Sequence, residues 1–181
     1  MSIYFTSDLH IGHDKDFLYK PRGFNNVWDM DNAIIENITH TLTHEDYLYI
    51  LGDICMGGEI MQAEWNRVLH SIPCKTYFII GNHDTDNKIE YYKSLGFECL
   101  GYANVFKYSK HKRFYISHYP TIVTNMDDPK FIWNLSGHTH DKDIFSSYYP
   151  KVYNVALDAH NCQLVNIETI ISDIEKYNKE I

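Results

Sequence analysis

The sequence predicts a layered α/β fold, built as one domain over residues 1–181. Three observations carry that expectation. Short β-branched and aromatic runs alternate with amphipathic helical stretches in the first half, giving the order strand, helix, strand, helix, strand, helix. From Val105 onward the pattern changes to strands separated by turns. Composition is that of a globular chain, 44% hydrophobic and 22% charged. No internal repeat, low-complexity stretch or linker interrupts it.

The elements follow in order. Ser2–Ser7 reads as a first strand. Residues 11–28 read as a polar and aromatic loop containing Lys20-Pro21-Arg22-Gly23. A helix is expected from Asp29 as N-cap to His40, because Met30, Ala33, Ile34 and Ile38 keep helical spacing. Tyr47–Leu51 is a second, buried strand. A helix over Glu59–His70 follows, with Ile60, Trp65, Val68 and Leu69 as its apolar stripe. Lys75–Ile80 is a third strand, and a helix over residues 86–95 should stop at Gly96. Val105–Tyr108 and Arg113–Ile116 flank a polar turn and suggest a hairpin. Phe131–Leu135, Lys151–Val155 and Gln163–Ile167 are further strands, and a helix from Thr169 closes the chain.

Five short motifs end these runs: Asp8-Leu9-His10, Gly52-Asp53, Gly81-Asn82-His83-Asp84, Ser117-His118 and Gly137-His138-Thr139-His140. Strand ends converge on one edge of a sheet. The motifs therefore bring together three carboxylates, one amide and five imidazoles, a site for two divalent metals. Asp8 and His10 are two apart, so both leave the same face of an extended strand end. Asp53 follows Gly52, where the chain turns out of a strand, and its two oxygens can bridge two metals. Each motif alone has an ordinary reading: a strand end, a turn pair, a polar turn or a surface accident. Their joint order after successive strands makes the metal reading the better one. A mixed oxygen and nitrogen set without sulfur suits manganese, iron, zinc or cobalt.

His13 and Arg22 lie in the first loop, within reach of that edge. They are expected to contact phosphate or substrate, with Arg22 suited by its planar donor fork; the alternative is loop packing and surface charge. Cys55 has no base paired with it and is not expected to be a nucleophile. His160 reads as a turn residue.

The bulk numbers exclude some function classes. A formal net charge of −8 argues against a broad basic surface for long nucleic acid. It leaves room for a phosphate-bearing substrate, because two divalent cations reverse the local sign. No apolar run approaches the ~20 residues of a membrane span. The first strand begins at Ser2 with no basic segment before it, so no signal peptide is expected. The cysteines are widely spaced without a C-x-x-C pair, and a reduced, cytoplasmic protein is the expectation.

On these motifs the chain resembles the calcineurin-like metallophosphoesterase superfamily, most of all its small bacterial and phage phosphoesterases. The likeness runs from Asp8 to His140, with a consistent β-rich tail. In those proteins the opening motif extends to Asp-x-His-x-x-His, here Asp8, His10 and His13. Their downstream Arg-Pro-Phe reads Pro21-Arg22-Gly23-Phe24 here, a departure. The resemblance implies a four-layer α-β-β-α sandwich. It implies that Asp8, His10, His140 and a bridging Asp53 hold one metal, and that Asp53, Asn82, His118 and His138 hold the other. Manganese is the first expectation, with iron, zinc, nickel or cobalt as alternatives. His83 would lie beside the scissile phosphate, with Asp84 orienting its ring. The implied activity is hydrolysis of phosphoesters, with a metal-shared hydroxide attacking phosphorus in line.

Small-molecule or nucleotide phosphodiesters are the first substrate expectation, and phosphomonoesters come next. A proton donor such as His83 serves an alkoxide leaving group. The short segment between His118 and Gly137 predicts an open, shallow site. A nuclease would use the same chemistry, but the acidic charge and the lack of a basic domain count against it. A non-catalytic scaffold on this fold would show lost ligands; here all seven ligand positions and His83 are present. Oligomeric state is not legible.

Overall fold

The computed structural model describes residues 1–122 and 132–180. Two sheets form its centre. The first has the order β4-β3-β2-β1-β9, with β1 (Ile3–Thr6), β2 (Tyr47–Ile50), β3 (Lys75–Phe78) and β4 (Glu98–Cys99) parallel. β9 (Val165–Asn166) is antiparallel to β1. The second has the order β5-β6-β7-β8. There β5 (Ala103–Lys107) and β6 (Arg113–Ser117) form the expected hairpin, and β6, β7 (Trp133–Ser136) and β8 (Val152–Asn154) run parallel.

Alternation along the strands divides the core in two. Leu48, Ile50 and Phe78 face α2 (Val27–Thr41), α3 (Gln62–Leu69) and α4 (Asp86–Ser94), packing against Ile34, Ile38, Val68 and Tyr92. Phe5, Leu51 and Ile79 point the other way, onto Phe106, Phe114, Ile116 and Leu135 of the second sheet. α5 (Ile167–Glu180) adds Ile170, Ile171 and Ile174 to this inter-sheet core. Two sheets face to face with helices packed on them is the expected architecture.

Several boundaries differ from expectation for local reasons. α2 begins at Val27 and is capped by Asn26, not Asp29. The Asn26 Oδ1 accepts from the Asp29 N–H at 2.9 Å, and Asn26 Nδ2 donates to Asp29 Oδ2 at 2.9 Å, a reciprocal cap. The first loop contains a single helical turn, α1 (Asp16–Tyr19), that the sequence reading missed. β4, only two residues long, was missed as well. β9 is shorter than expected because Asn166 Oδ1 accepts from the Glu168 N–H at 2.9 Å and starts α5 early. The expected strand start at Phe131 and much of the segment between His118 and Gly137 lie outside the described residues. Among the described residues, no helix is long and apolar enough to cross a membrane.

Candidate metal centre

Every motif sits just past the carboxyl end of its strand: β1, β2, β3, β6 and β7 deliver them to one edge, where α/β sheets bind ligands. Ladder-like bonds continue past the strands. The Asp8 N–H donates to Gly52 O, and the His10 N–H to Asp53 O, both at 3.0 Å. The chain must then turn sharply to aim its side chains. Eight non-glycine residues among those described have left-handed φ. Five are predicted ligands: Asp8 (56°), His10 (50°), Asp53 (54°), His138 (72°) and His140 (53°). Such conformations cost about 1–3 kcal/mol each and concentrate at functional sites. Two motif glycines are required by close approach. A Cβ on Gly81 would stand 2.2 Å from Asp53 Oδ1, and one on Gly137 2.1 Å from Asp8 Oδ2.

Asp8, His10, Asp53 and His118 are almost fully buried. Asp8 Oδ1 lies 3.8 Å from His10 Nε2 and 3.7 Å from His140 Nε2, so Asp8, His10 and His140 form one potential metal-holding group. Asp8, Asp53 and His118 form a second. Asp53 Oδ2 stands between them, 3.6 Å from both His10 Nε2 and His118 Nε2. Asn82 Oδ1 is 2.9 Å from His118 Nε2. The His138 ring belongs to neither group; it packs 5.0 Å from the His118 ring and 4.5 Å from Tyr119, while its backbone N–H donates to Asp8 Oδ2.

Two buried atoms test whether a cation fits. Asp8 Oδ1 and His10 Nε2 have no hydrogen-bond partner. Orphaned groups of this kind are rare and call for an explanation. An anionic oxygen facing unshared nitrogen pairs is the donor set a divalent cation takes. Burial by itself would raise the Asp8 pKa, yet the His10, His118 and His140 imidazoles hold it well below the usual carboxylate range. Asp8 is thus kept anionic.

The surrounding residues fix these lone pairs. His118 Nδ1 lies 2.9 Å from Leu51 O, which only accepts, so Nδ1 donates there and Nε2 faces the site beside Asn82 Oδ1. His140 Nδ1 meets Asp158 Oδ2 at 3.0 Å and likewise donates. Asp158 was not singled out by the sequence, where it looked like part of a turn.

Arg22 was expected to contact phosphate or substrate; the structure buries its side chain behind the cluster. That side chain is 1% exposed and forks onto Asp158, with further bonds to the carbonyls of Asp8 and Leu9. Asp84 also differs from expectation. Its carboxylate accepts from the N–H groups of Asp53, Ile54 and Gly81 and from the Tyr92 hydroxyl, and no hydrogen bond joins it to the His83 ring among the described residues. It therefore shapes the two turns that present Asp53 and His83. The His83 N–H donates to Asp53 Oδ1 at 2.8 Å, and its half-exposed ring lies 5.6 Å from the His10 ring, with Nε2 3.9 Å from Asp53 Oδ2. His13 stacks on His10, with Nδ1 atoms 3.2 Å apart, and touches Phe17. Cys55 is buried and burial pushes its thiol up, in keeping with an inert cysteine. His160 bonds Asn154 O and stacks on Tyr153.

The chain is similar to proteins from phages and an archaeon. The Gene 66 protein of Mycobacterium phage D29 is 28% identical, over 97% of this chain and 98% of its own. An uncharacterized protein of Methanocaldococcus jannaschii is also 28% identical, over 96% of this chain and 92% of its own. In structure, a protein of unknown function from Aquifex aeolicus shares the fold with a TM-score of 0.71 and 22% identity, covering 94% of this chain and 98% of its own. The sequence model of the calcineurin-like phosphoesterases matches residues 1–153, and the chain belongs to that family.

Proposed function

We propose that this member of the phosphoesterase family is a binuclear, metal-dependent hydrolase that favours small or nucleotide phosphodiesters, with phosphomonoesters as lesser substrates. The observation that carries the reading is the pair of orphaned, buried atoms, Asp8 Oδ1 and His10 Nε2, in a cluster completed by Asp53, His118 and His140. Asp8, His10, His140 and Asp53 would hold one divalent cation, and Asp53, Asn82, His118 and His138 the other. Manganese is the first candidate. When bound, two such cations supply positive charge at the phosphate and a water acidic enough to ionise near neutral pH.

The chain's own residues do the rest. His83 is half-exposed at the lip of the cluster and outside both ligand groups. From there its ring can give a proton to the leaving oxygen. Asp84 fixes the turn that carries it. His13, stacked against His10 beside Phe17, is placed to touch the substrate's phosphate or its substituent. The left-handed turns hold the ligand side chains in place before anything binds, so little ordering remains to be done.

The test is a metal titration followed by a hydrolysis panel. Metal-free protein should take up two Mn²⁺ per chain. It should then hydrolyse an aryl diester faster than an aryl monoester, with cyclic nucleotides and single-stranded RNA included and Zn²⁺, Ni²⁺ and Mg²⁺ run in parallel. Saturation at one cation would end the binuclear reading; faster monoester turnover would end the diester preference.

A further inference from the structure

We propose that Arg22 and Asp158 are positioning residues that set the Asp8, His10 and His140 cluster from behind; the inference rests on the metal reading above. The two are 136 residues apart and meet as a two-pronged ion pair, Nε to Oδ1 at 3.0 Å and Nη2 to Oδ2 at 2.7 Å. Both side chains are nearly buried, Arg22 at 1% and Asp158 at 7% exposure. A buried pair carries a desolvation cost of several kcal/mol per ion, so stability alone is a weak reason for it. Each member has a second task that faces the cluster.

Arg22 Nη2 donates to Asp8 O at 2.8 Å and Nη1 to Leu9 O at 3.3 Å. Those carbonyls belong to the left-handed turn that aims Asp8 and His10. Asp158 Oδ2, besides taking Arg22, accepts from His140 Nδ1 at 3.0 Å. A carboxylate only accepts, so the imidazole proton is fixed on Nδ1 and the Nε2 lone pair is turned toward Asp8 Oδ1. The His140 ring needs this restraint, since about a third of its side chain is exposed (34%). His118, fully buried, makes do with a backbone carbonyl. One guanidinium thus holds the Asp8–Leu9 backbone directly and His140 through Asp158. Partners of this kind are worth roughly 10–100-fold in metal affinity.

Two substitutions separate positioning from charge balance. Asp158→Asn keeps a carbonyl acceptor for the His140 Nδ1–H but removes the charge facing Arg22; Asp158→Ala removes both. Metal-free wild type and both variants are titrated with Mn²⁺ by calorimetry, with thermal unfolding measured alongside. Asp158→Ala should weaken one class of site by about 10–100-fold. Asp158→Asn should stay near wild type in affinity even though both variants lose stability. Equal affinity losses that track the lost stability, or wild-type affinity in Asp158→Ala, would overturn the proposal while leaving the metal reading intact. A wild type that takes up no Mn²⁺ would remove the metal reading itself, and the proposal with it. Nitrogen-15 NMR of the metal-free wild type at alkaline pH needs no variant: the His140 proton should sit on Nδ1, and a proton on Nε2 would overturn the assignment.

Discussion

Asp8 and Asp31 are both fully buried, and each keeps one carboxylate oxygen, Oδ1, without a hydrogen-bond partner. Their surroundings are opposite. Asp8 is ringed by imidazoles, which hold its pKa well below the usual range against the effect of burial. Asp31, on α2, accepts from the Gly12 N–H at 3.0 Å through Oδ2, but burial, aided by the nearby Glu64 carboxylate on α3, pushes its pKa up to about 8. At neutral pH Asp8 is an anion whose free oxygen is ready for a cation. Asp31 is pushed toward its neutral form by burial and by the Glu64 carboxylate. Burial alone does not decide the charge of a carboxylate here; the sign of its neighbours does.

The same chemical change at the two positions should therefore have opposite consequences. Asp8→Asn removes the negative charge around which the cluster is arranged. It should abolish tight Mn²⁺ uptake at one site and cut turnover by ~10⁴-fold or more, at or beyond the upper end of the loss from deleting a proton donor alone. Near-normal turnover and two bound cations in this variant would break the comparison at its stronger end.

His83 comes next in size. It lies next to the Asp8 side of the comparison yet belongs to neither ligand group, so His83→Ala should keep both cations and lose about 10²–10⁴-fold in rate. The loss should be largest for alkoxide leaving groups and smaller for nitrophenolate, which leaves without a proton. Equal losses for both would point to phosphate stabilisation in place of proton donation, and a lost cation would make His83 a ligand.

What the sequence revealed of this site depended on local chemistry. The clustering of the motif residues was legible because each motif follows a strand, and because glycines such as Gly81 and Gly137 stand where a Cβ would collide with a carboxylate. The strands were legible because alternation sorts Leu48 and Ile50 from Tyr49 and Leu51. Pairings across the fold left no such mark. Nothing local in Pro21-Arg22-Gly23 announces Asp158, and nothing in Asp31 announces Glu64 on another helix. The α2 start was misplaced for a similar reason: Asn26 and Asp29 are both good caps, and only the structure shows which accepts from which. Asp84 was assigned to its sequence neighbour His83, whereas its carboxylate collects backbone donors from two separate turns.

Asp31→Asn tests the other side of the comparison. The folded pKa is raised to about 8 from an ordinary value of 3.8. The fold therefore holds a proton that the unfolded chain releases on ionising. Stability from this group is complete below about pH 4, declines as pH rises through the window up to about 8, and is flat above it. Asparagine keeps an acceptor for the Gly12 N–H and cannot ionise. The variant should gain roughly 2–4 kcal/mol at pH 7, or roughly 5–15 °C in melting temperature, and its stability should vary less between those pH values. Turnover should not change. A melting temperature that falls at pH 7 would mean that Asp31 is ionised in the fold.

Glu64→Gln gives the smallest and sharpest effect, because it changes the neighbour and leaves Asp31 itself in place. Glu64 is held by Arg67, whose Nε donates to Oε2 at 3.0 Å, so its charge is partly balanced already. Burial, the largest cause of the Asp31 shift, is untouched by the substitution, while the like charge disappears. The upper end of the pH window should move down from about 8 by about one pH unit, a change on the order of 1 kcal/mol, with the lower end fixed by the unfolded chain. Melting temperatures across that pH range, compared with wild type, would show the shift. An unmoved window would mean that burial alone keeps Asp31 protonated, and that the contrast with Asp8 arises entirely on the side of the imidazoles.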